Sequence, residues 1–84
     1  MTFERFQMEL GKRIQKLRLE RNKTQEGMDE GEWSVPWRTI QDLEGGKSNV
    51  TLHTLFKVAR SLNIHPREFF DFSFPTRDDR TSRK

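Results

Sequence analysis

Apolar residues recur every three or four positions at the start of the chain, at Phe3, Phe6, Leu10, Ile14 and Leu17. That is the period of an amphipathic helix, and it predicts one over residues 3–22. Thr2 is placed to cap it, and Asn22-Lys23 to close it. Gly11 falls inside it at a cost of about 1 kcal/mol against alanine, which close packing of another helix would explain. Lys12, Arg13, Lys16 and Arg21 lie between the apolar positions and are expected to form a solvated basic face. A short second helix is predicted from Gln25 to about Glu30. Thr24 would cap it, Gly27 would weaken it, Met28 would be its main apolar contact and Gly31 would end it. Glu32-Trp33-Ser34 then bridges to the next element, with Trp33 expected to pack as a lid over the turn.

The stretch Ser34-Val35-Pro36-Trp37-Arg38-Thr39-Ile40-Gln41-Asp42-Leu43-Glu44-Gly45-Gly46 carries its own start and stop. Proline suits a first helical turn, because its missing N–H has no partner to lose there. Glycine past the last turn supplies the left-handed residue that ends a helix. In this third helix Val35, Ile40 and Leu43 are expected to point inward. Trp37, Arg38, Gln41 and Asp42 would then point outward, and so large an exposed Trp-Arg pair suggests a recognition surface. Lys47-Ser48-Asn49-Val50 reads as a loop, and Thr51 as the cap of a fourth helix from Leu52 to Leu62. The apolar stripe of that helix, Leu52, Leu55, Phe56, Val58, Ala59 and Leu62, is wide and predicts burial on more than one side. Asn63-Ile64-His65 turns the chain, and Pro66 opens a fifth helix of one or two turns through Phe70 or Asp71. No segment alternates long enough for a sheet. The expected fold is all-α, a compact five-helix domain over residues 1–72, followed by a disordered basic tail over 73–84 rich in Pro, Thr, Ser and charge.

Composition narrows the function classes. A chain of 84 residues makes one domain and hides only about 60% of its unfolded surface. Without cysteine there is neither a disulfide nor a thiolate metal site, and a reducing cytoplasm fits. No apolar run is long enough to span a membrane, and the N-terminal residues lack the apolar core of a signal peptide. The net charge of +3 is unevenly spread. Residues 1–24 hold seven bases and three acids, whereas residues 25–44 hold one base and six acids. A basic flank attracts polyanions, and the acidic middle opposes them. Of the two histidines, His65 reads as a helix cap and His53 as a surface residue. Neither is flanked by paired carboxylates, so no catalytic or metal site is assembled. No enzyme activity, cofactor, metal or small-molecule ligand is expected.

Four segments in order then carry a resemblance: Ile14-Gln15-Lys16-Leu17-Arg18, Thr24-Gln25-Glu26, Ile40-Gln41-Asp42-Leu43-Glu44-Gly45-Gly46-Lys47 and Thr54-Leu55-Phe56-Lys57-Val58-Ala59-Arg60-Ser61-Leu62. Together they resemble the Xre-type, phage-repressor-like helix-turn-helix family over about residues 10 to 71, with Ile64-His65-Pro66-Arg67-Glu68-Phe69-Phe70 similar to its fifth helix. The size suits stand-alone members such as the controller proteins of restriction–modification systems. The resemblance implies a transcriptional regulator that puts its third helix in the major groove of double-stranded DNA. It implies base contacts from Trp37, Arg38, Thr39, Gln41 and Asp42. It implies phosphate contacts from Gln25, Lys47, Ser48, Asn49 and Thr51, and an ion pair of Arg18 with Glu44 inside the domain.

The chemistry of these side chains suits those roles. Arginine donates two parallel hydrogen bonds to guanine O6 and N7, worth roughly 1–3 kcal/mol of discrimination. Tryptophan packs on a thymine methyl or a sugar, and helix starts offer N–H groups to phosphate. Aspartate in the groove suits chiefly cytosine N4, which ranks Asp42 below Arg38 and Gln41. Three features depart from the family, one of them Gly27, which stands where an acidic helix former is common. The segment from Thr24 to Glu44 is one residue longer than usual, with the extra residue after Met28. Asp29 stands where a small alanine is common, so it is expected either to be exposed or to change the angle of the second helix.

A homodimer on a palindromic operator is expected by analogy, its two copies about 34 Å apart. Phe69, Phe70, Phe72 and Phe74 form its candidate interface, since four phenylalanines in so short a stretch exceed what a two-turn helix buries alone. The expected location is cytoplasmic, on the nucleoid. The alternative is an antitoxin-like or protein-binding module of the same fold, whose acidic Glu26, Asp29, Glu30 and Glu32 would meet a basic partner.

Overall fold

The computed structural model describes residues 2–73, and over these the chain is helical without strands. There are three α-helices, α1 (Phe3–Glu20), α2 (Trp37–Glu44) and α3 (Leu52–Leu62), and two short 3-10 segments, Glu26–Asp29 between α1 and α2 and Pro66–Phe70 after α3. The five-helix expectation is corrected accordingly. The second and fifth predicted helices are 3-10 turns, too short to repeat the α hydrogen bond. The physical reason is in the residues. Gly27 and Asp29 are poor helix formers, and Glu30 is already extended. Apart from Ser73, the expected tail falls on residues 74–84, Phe74 included, outside the described residues.

Two of the α-helices, α1 and α3, begin at a side-chain cap. The Thr2 hydroxyl oxygen accepts from the Arg5 N–H at 3.1 Å, and the Thr51 hydroxyl oxygen accepts from the Thr54 N–H at 3.1 Å. Pro36 precedes α2. The stop of α2 is a paired backbone motif, in which the Gly46 N–H donates to the Leu43 carbonyl at 3.2 Å and the Lys47 N–H to the Asp42 carbonyl at 3.0 Å. This geometry needs a left-handed residue, and that residue is Gly46, with φ +72°.

The core is one cluster of Leu10, Ile14 and Leu17 from α1, Met28, Val35, Ile40 and Leu43 around α2, Val58, Ala59 and Leu62 from α3, and Phe69. The two outer apolar positions of α1 behave differently, since Phe3 is exposed and Phe6 half-buried. Nor is α3 buried on several sides. Leu52 is 83% exposed and Phe56 46% exposed, so one face enters the core, with Val58, Ala59 and Leu62 buried and Leu55 packed against them. The basic face of α1 is also only partly solvated. Lys12 and Lys16 are exposed. Arg13 instead donates to the Glu68 carbonyl at 2.7 Å and its carboxylate at 3.1 Å, and it pairs with Asp71 at 3.6 Å. Arg21 donates to the Leu62 carbonyl at 3.1 Å, at the end of α3. Those arginines tie α1 to the elements that follow α2. Trp33 sits half-buried, with its ring edge-on to Phe56 at 5.4 Å and the Arg60 guanidinium 5.0 Å from its centroid, so it covers a flank of α3.

Candidate nucleic-acid interface

The burial pattern of α2 separates its two faces. Ile40 and Leu43, with Val35 just before the helix, are at most 2% exposed. Trp37, Arg38, Gln41 and Asp42 are exposed and Thr39 is half-buried. Eight residues cannot hold a helix in water unaided. The buried face and the two ends must therefore hold α2 in place.

At its C-terminal end α2 is locked to α1. Arg18 donates through Nε to Glu44 Oε2 at 2.6 Å and through Nη2 to Glu44 Oε1 at 3.0 Å, a two-pronged pair. Its third donor, Nη1, meets the Lys23 carbonyl at 2.6 Å. The two side chains are 7% and 3% exposed. A carboxylate this buried, at the end of a helix whose dipole is already negative there, is tolerable because the guanidinium neutralises it. Gln25 adds a further bond, its Nε2 donating to Glu44 Oε1 at 3.0 Å. Gln25, expected to meet a phosphate, is thus also part of this buried network, a role that nothing in its local sequence signals.

The outward residues lie together. The Arg38 guanidinium stands 5.3 Å from the centre of the Trp37 ring. At that range the ring attracts the cation through its π face, without using up a hydrogen-bond donor of the guanidinium. Gln41 and Asp42 follow one turn on. Beyond the helix stop, Lys47 and Asn49 are exposed and Ser48 is half-buried. The Thr51 hydroxyl is occupied in capping, donating to Thr54 Oγ1 at 3.0 Å as well as accepting from its N–H. What α3 offers to solvent near Thr51 is its first-turn amides, which have no carbonyl in the preceding turn to meet. Glu26, Asp29, Glu30 and Glu32 are all exposed on the segment before α2. Exposure is one of the two outcomes expected for Asp29, and Met28, the predicted apolar contact of that segment, is fully buried.

Among the candidate dimer phenylalanines the structure makes a division. Phe69 is fully buried in the core, so within the chain it is a packing residue and offers no surface to a second copy. Phe70 is 43% exposed and stacks on Phe6 with ring centres 6.3 Å apart. Phe72 also packs on Phe6, at 6.0 Å. Beside them lies an apolar groove of about 290 Å³ whose walls include Phe3, Leu10, Val50, Leu55 and Phe70. Among the described residues no group of three or more His, Cys, Asp or Glu side chains is placed to hold a metal, and no helix is long and apolar enough to cross a membrane.

A family model described as helix-turn-helix matches residues 14–69, which contain the 3-10 turn at Glu26–Asp29, α2, α3 and the Arg18–Glu44 pair. The chain belongs to the Xre-type helix-turn-helix family. Members are DNA-binding transcription regulators. The chain is also similar to the crystal structure of the restriction–modification controller protein C.AhdI from Aeromonas hydrophila, with a TM-score of 0.68 and 30% identity, over 75% of this chain and 94% of that one. No curated protein sequence matches it.

Proposed function

We propose that the protein binds double-stranded DNA sequence-specifically, with α2 in the major groove, and regulates transcription as a small controller-type protein. The observation that carries this reading is the two-faced α2. One face is sealed into the core and its end is clamped by Arg18, Glu44 and Gln25, while Trp37, Arg38 and Gln41 project from the other. Rigid backing is what a base-reading side chain needs, since each hydrogen bond tolerates only a few tenths of an ångström. Arg38 reads guanine, Gln41 reads an adjacent base, Thr39 and Asp42 contribute at the rim, and Trp37 packs on sugar or methyl. Lys47, Ser48 and Asn49 hold phosphate beyond the helix, together with the amides that follow Thr51. Gln25 contributes its second amide hydrogen to a phosphate on the near side.

One such helix gives limited affinity, so the active species is a homodimer on a palindromic site. Its interface is the exposed Phe70 and Phe3 with the groove between them. Two measurements test the reading. Binding to a mixed-sequence duplex should be present at about 50 mM salt and fall steeply as salt rises. Selection from a random duplex pool should return a symmetric consensus. No binding at low salt would favour the second reading, a protein-binding module, for which the exposed acids Glu26, Asp29, Glu30 and Glu32 are the supporting feature.

A further inference from the structure

One stripe of α1 runs alongside the end of α2 and the loop after it. Gln7, Gly11, Ile14 and Arg18 are spaced by four, three and four residues and so share a helix face. Going back along that stripe, each position meets the chain further on. Arg18 holds the Glu44 carboxylate. A methyl group on Gly11 would collide with the Leu43 carbonyl oxygen and come within 2.8 Å of the Glu44 carbonyl oxygen, so only glycine lets the α2 backbone lie this close. Met8, on the edge of the stripe, lies against Gly46, where an added Cβ would sit 3.0 Å from Met8 Cγ. Gln7 then reaches past the helix stop, its Nε2 donating to the Ser48 carbonyl at 3.0 Å.

The last of these contacts falls in the middle of the Lys47-Ser48-Asn49 loop. The loop is tied at one end by the Lys47 N–H on the Asp42 carbonyl and at the other by the Thr51 cap of α3. Between those ends Gln7 fixes the level of Ser48. The family model begins at residue 14, so Gln7, Met8 and Gly11 all lie before the stretch that defines the family.

We propose that Gln7 is a positioning residue for phosphate binding, holding the Lys47–Asn49 loop where its side chains meet the DNA backbone. This rests on the duplex-binding reading above. A hydrogen bond to phosphate is lost with a displacement of about 1 Å. Gln7 itself faces the loop carbonyl and needs no contact with DNA.

The test is a double-mutant cycle of Gln7→Met and Lys47→Ala, read as affinity for a mixed-sequence duplex over a salt series. Methionine keeps the length and removes the donor. Gln7→Met should weaken binding about tenfold, the scale of one hydrogen bond, and lower the salt slope by about 0.9, one phosphate. Lys47→Ala should then weaken binding less in the Gln7→Met background than in the wild type. Hydrogen exchange of the 48–50 amides in the DNA-free protein should quicken in Gln7→Met, with the core amides unchanged. Additive effects with an unaltered salt slope would overturn the proposal while leaving the DNA reading intact, whereas a wild-type protein that ignores the duplex would overturn that reading itself. If Gln7→Met does not fold, Gln7→Ala, which suits a helix better, serves in the same cycle.

Discussion

Arg38 and Glu44 are the two charged residues of α2 whose substitution separates recognition from folding. Arg38 is exposed and rests on the Trp37 ring, so its removal takes away base contacts and little packing. Arg38→Ala is expected to abolish site-specific binding, a loss of roughly 1–3 kcal/mol of discrimination per guanine contact, with an unchanged thermal midpoint. A fall in midpoint of several degrees would make Arg38 structural instead. Glu44→Ala should do the reverse. It strands the Arg18 guanidinium, 7% exposed, and removes the acceptor of Gln25. Breaking a buried pair from one side costs about 3–5 kcal/mol, and urea unfolding of the variant measures it. An unchanged midpoint in urea would show that the pair contributes nothing. The Arg18–Glu44 pairing was legible as a family pattern. Gln25's share in it was not, because a glutamine at a helix start has the same sequence signature whether its amide faces phosphate or carboxylate.

At the scale of elements, the helix ends carry the most information. The Gly45-Gly46 pair announces a stop, and the structure assigns the left-handed conformation to Gly46 alone. Gly46→Ala is expected to destabilise the domain by about 1–2 kcal/mol from the left-handed backbone. The added methyl would also press on Met8. For a domain of this size each kcal/mol lowers the thermal midpoint by about 4–8 °C, which calorimetry resolves. Gly45→Ala, at φ −82°, should be milder, and equal effects at both positions would count against this account of the stop. The two 3-10 turns show where periodicity misleads. A segment of four or five residues fits either helix type by its apolar spacing, and in the first of them the poor helix formers Gly27 and Asp29 go with the 3-10 form while Met28 is still fully buried.

The whole molecule adds one surface that no single element reveals. Phe3, Phe70 and the groove beside them bring the first turn of α1 next to the last 3-10 turn. Phe70→Ser is expected to shift the protein from dimer to monomer at tens of micromolar in sedimentation, and to weaken operator binding far more than binding to a single half-site. A wild-type protein that is monomeric both free and on DNA would remove this surface from the account. The overall charge pattern belongs to this scale too. Seven bases in the first 24 residues look like an open basic face, yet Arg13, Arg18 and Arg21 are engaged by partners within the fold. The cations left to meet a polyanion are therefore fewer than composition suggests.

Local chemistry determined much of this protein. Hydrophobic period, caps and glycine stops placed α1, α2 and α3, because those signals act within a few residues and need no partner. The same patterns marked which side of α2 turns outward. Tertiary structure alone decided how the remaining residues are used. Leu52 and Phe56 match a buried stripe yet face solvent, Phe69 is core while its neighbour Phe70 is surface, and Gln7 reaches a carbonyl 41 residues away. Each of these depends on which elements pack against one another, and that is a property of the assembled core rather than of any stretch of sequence.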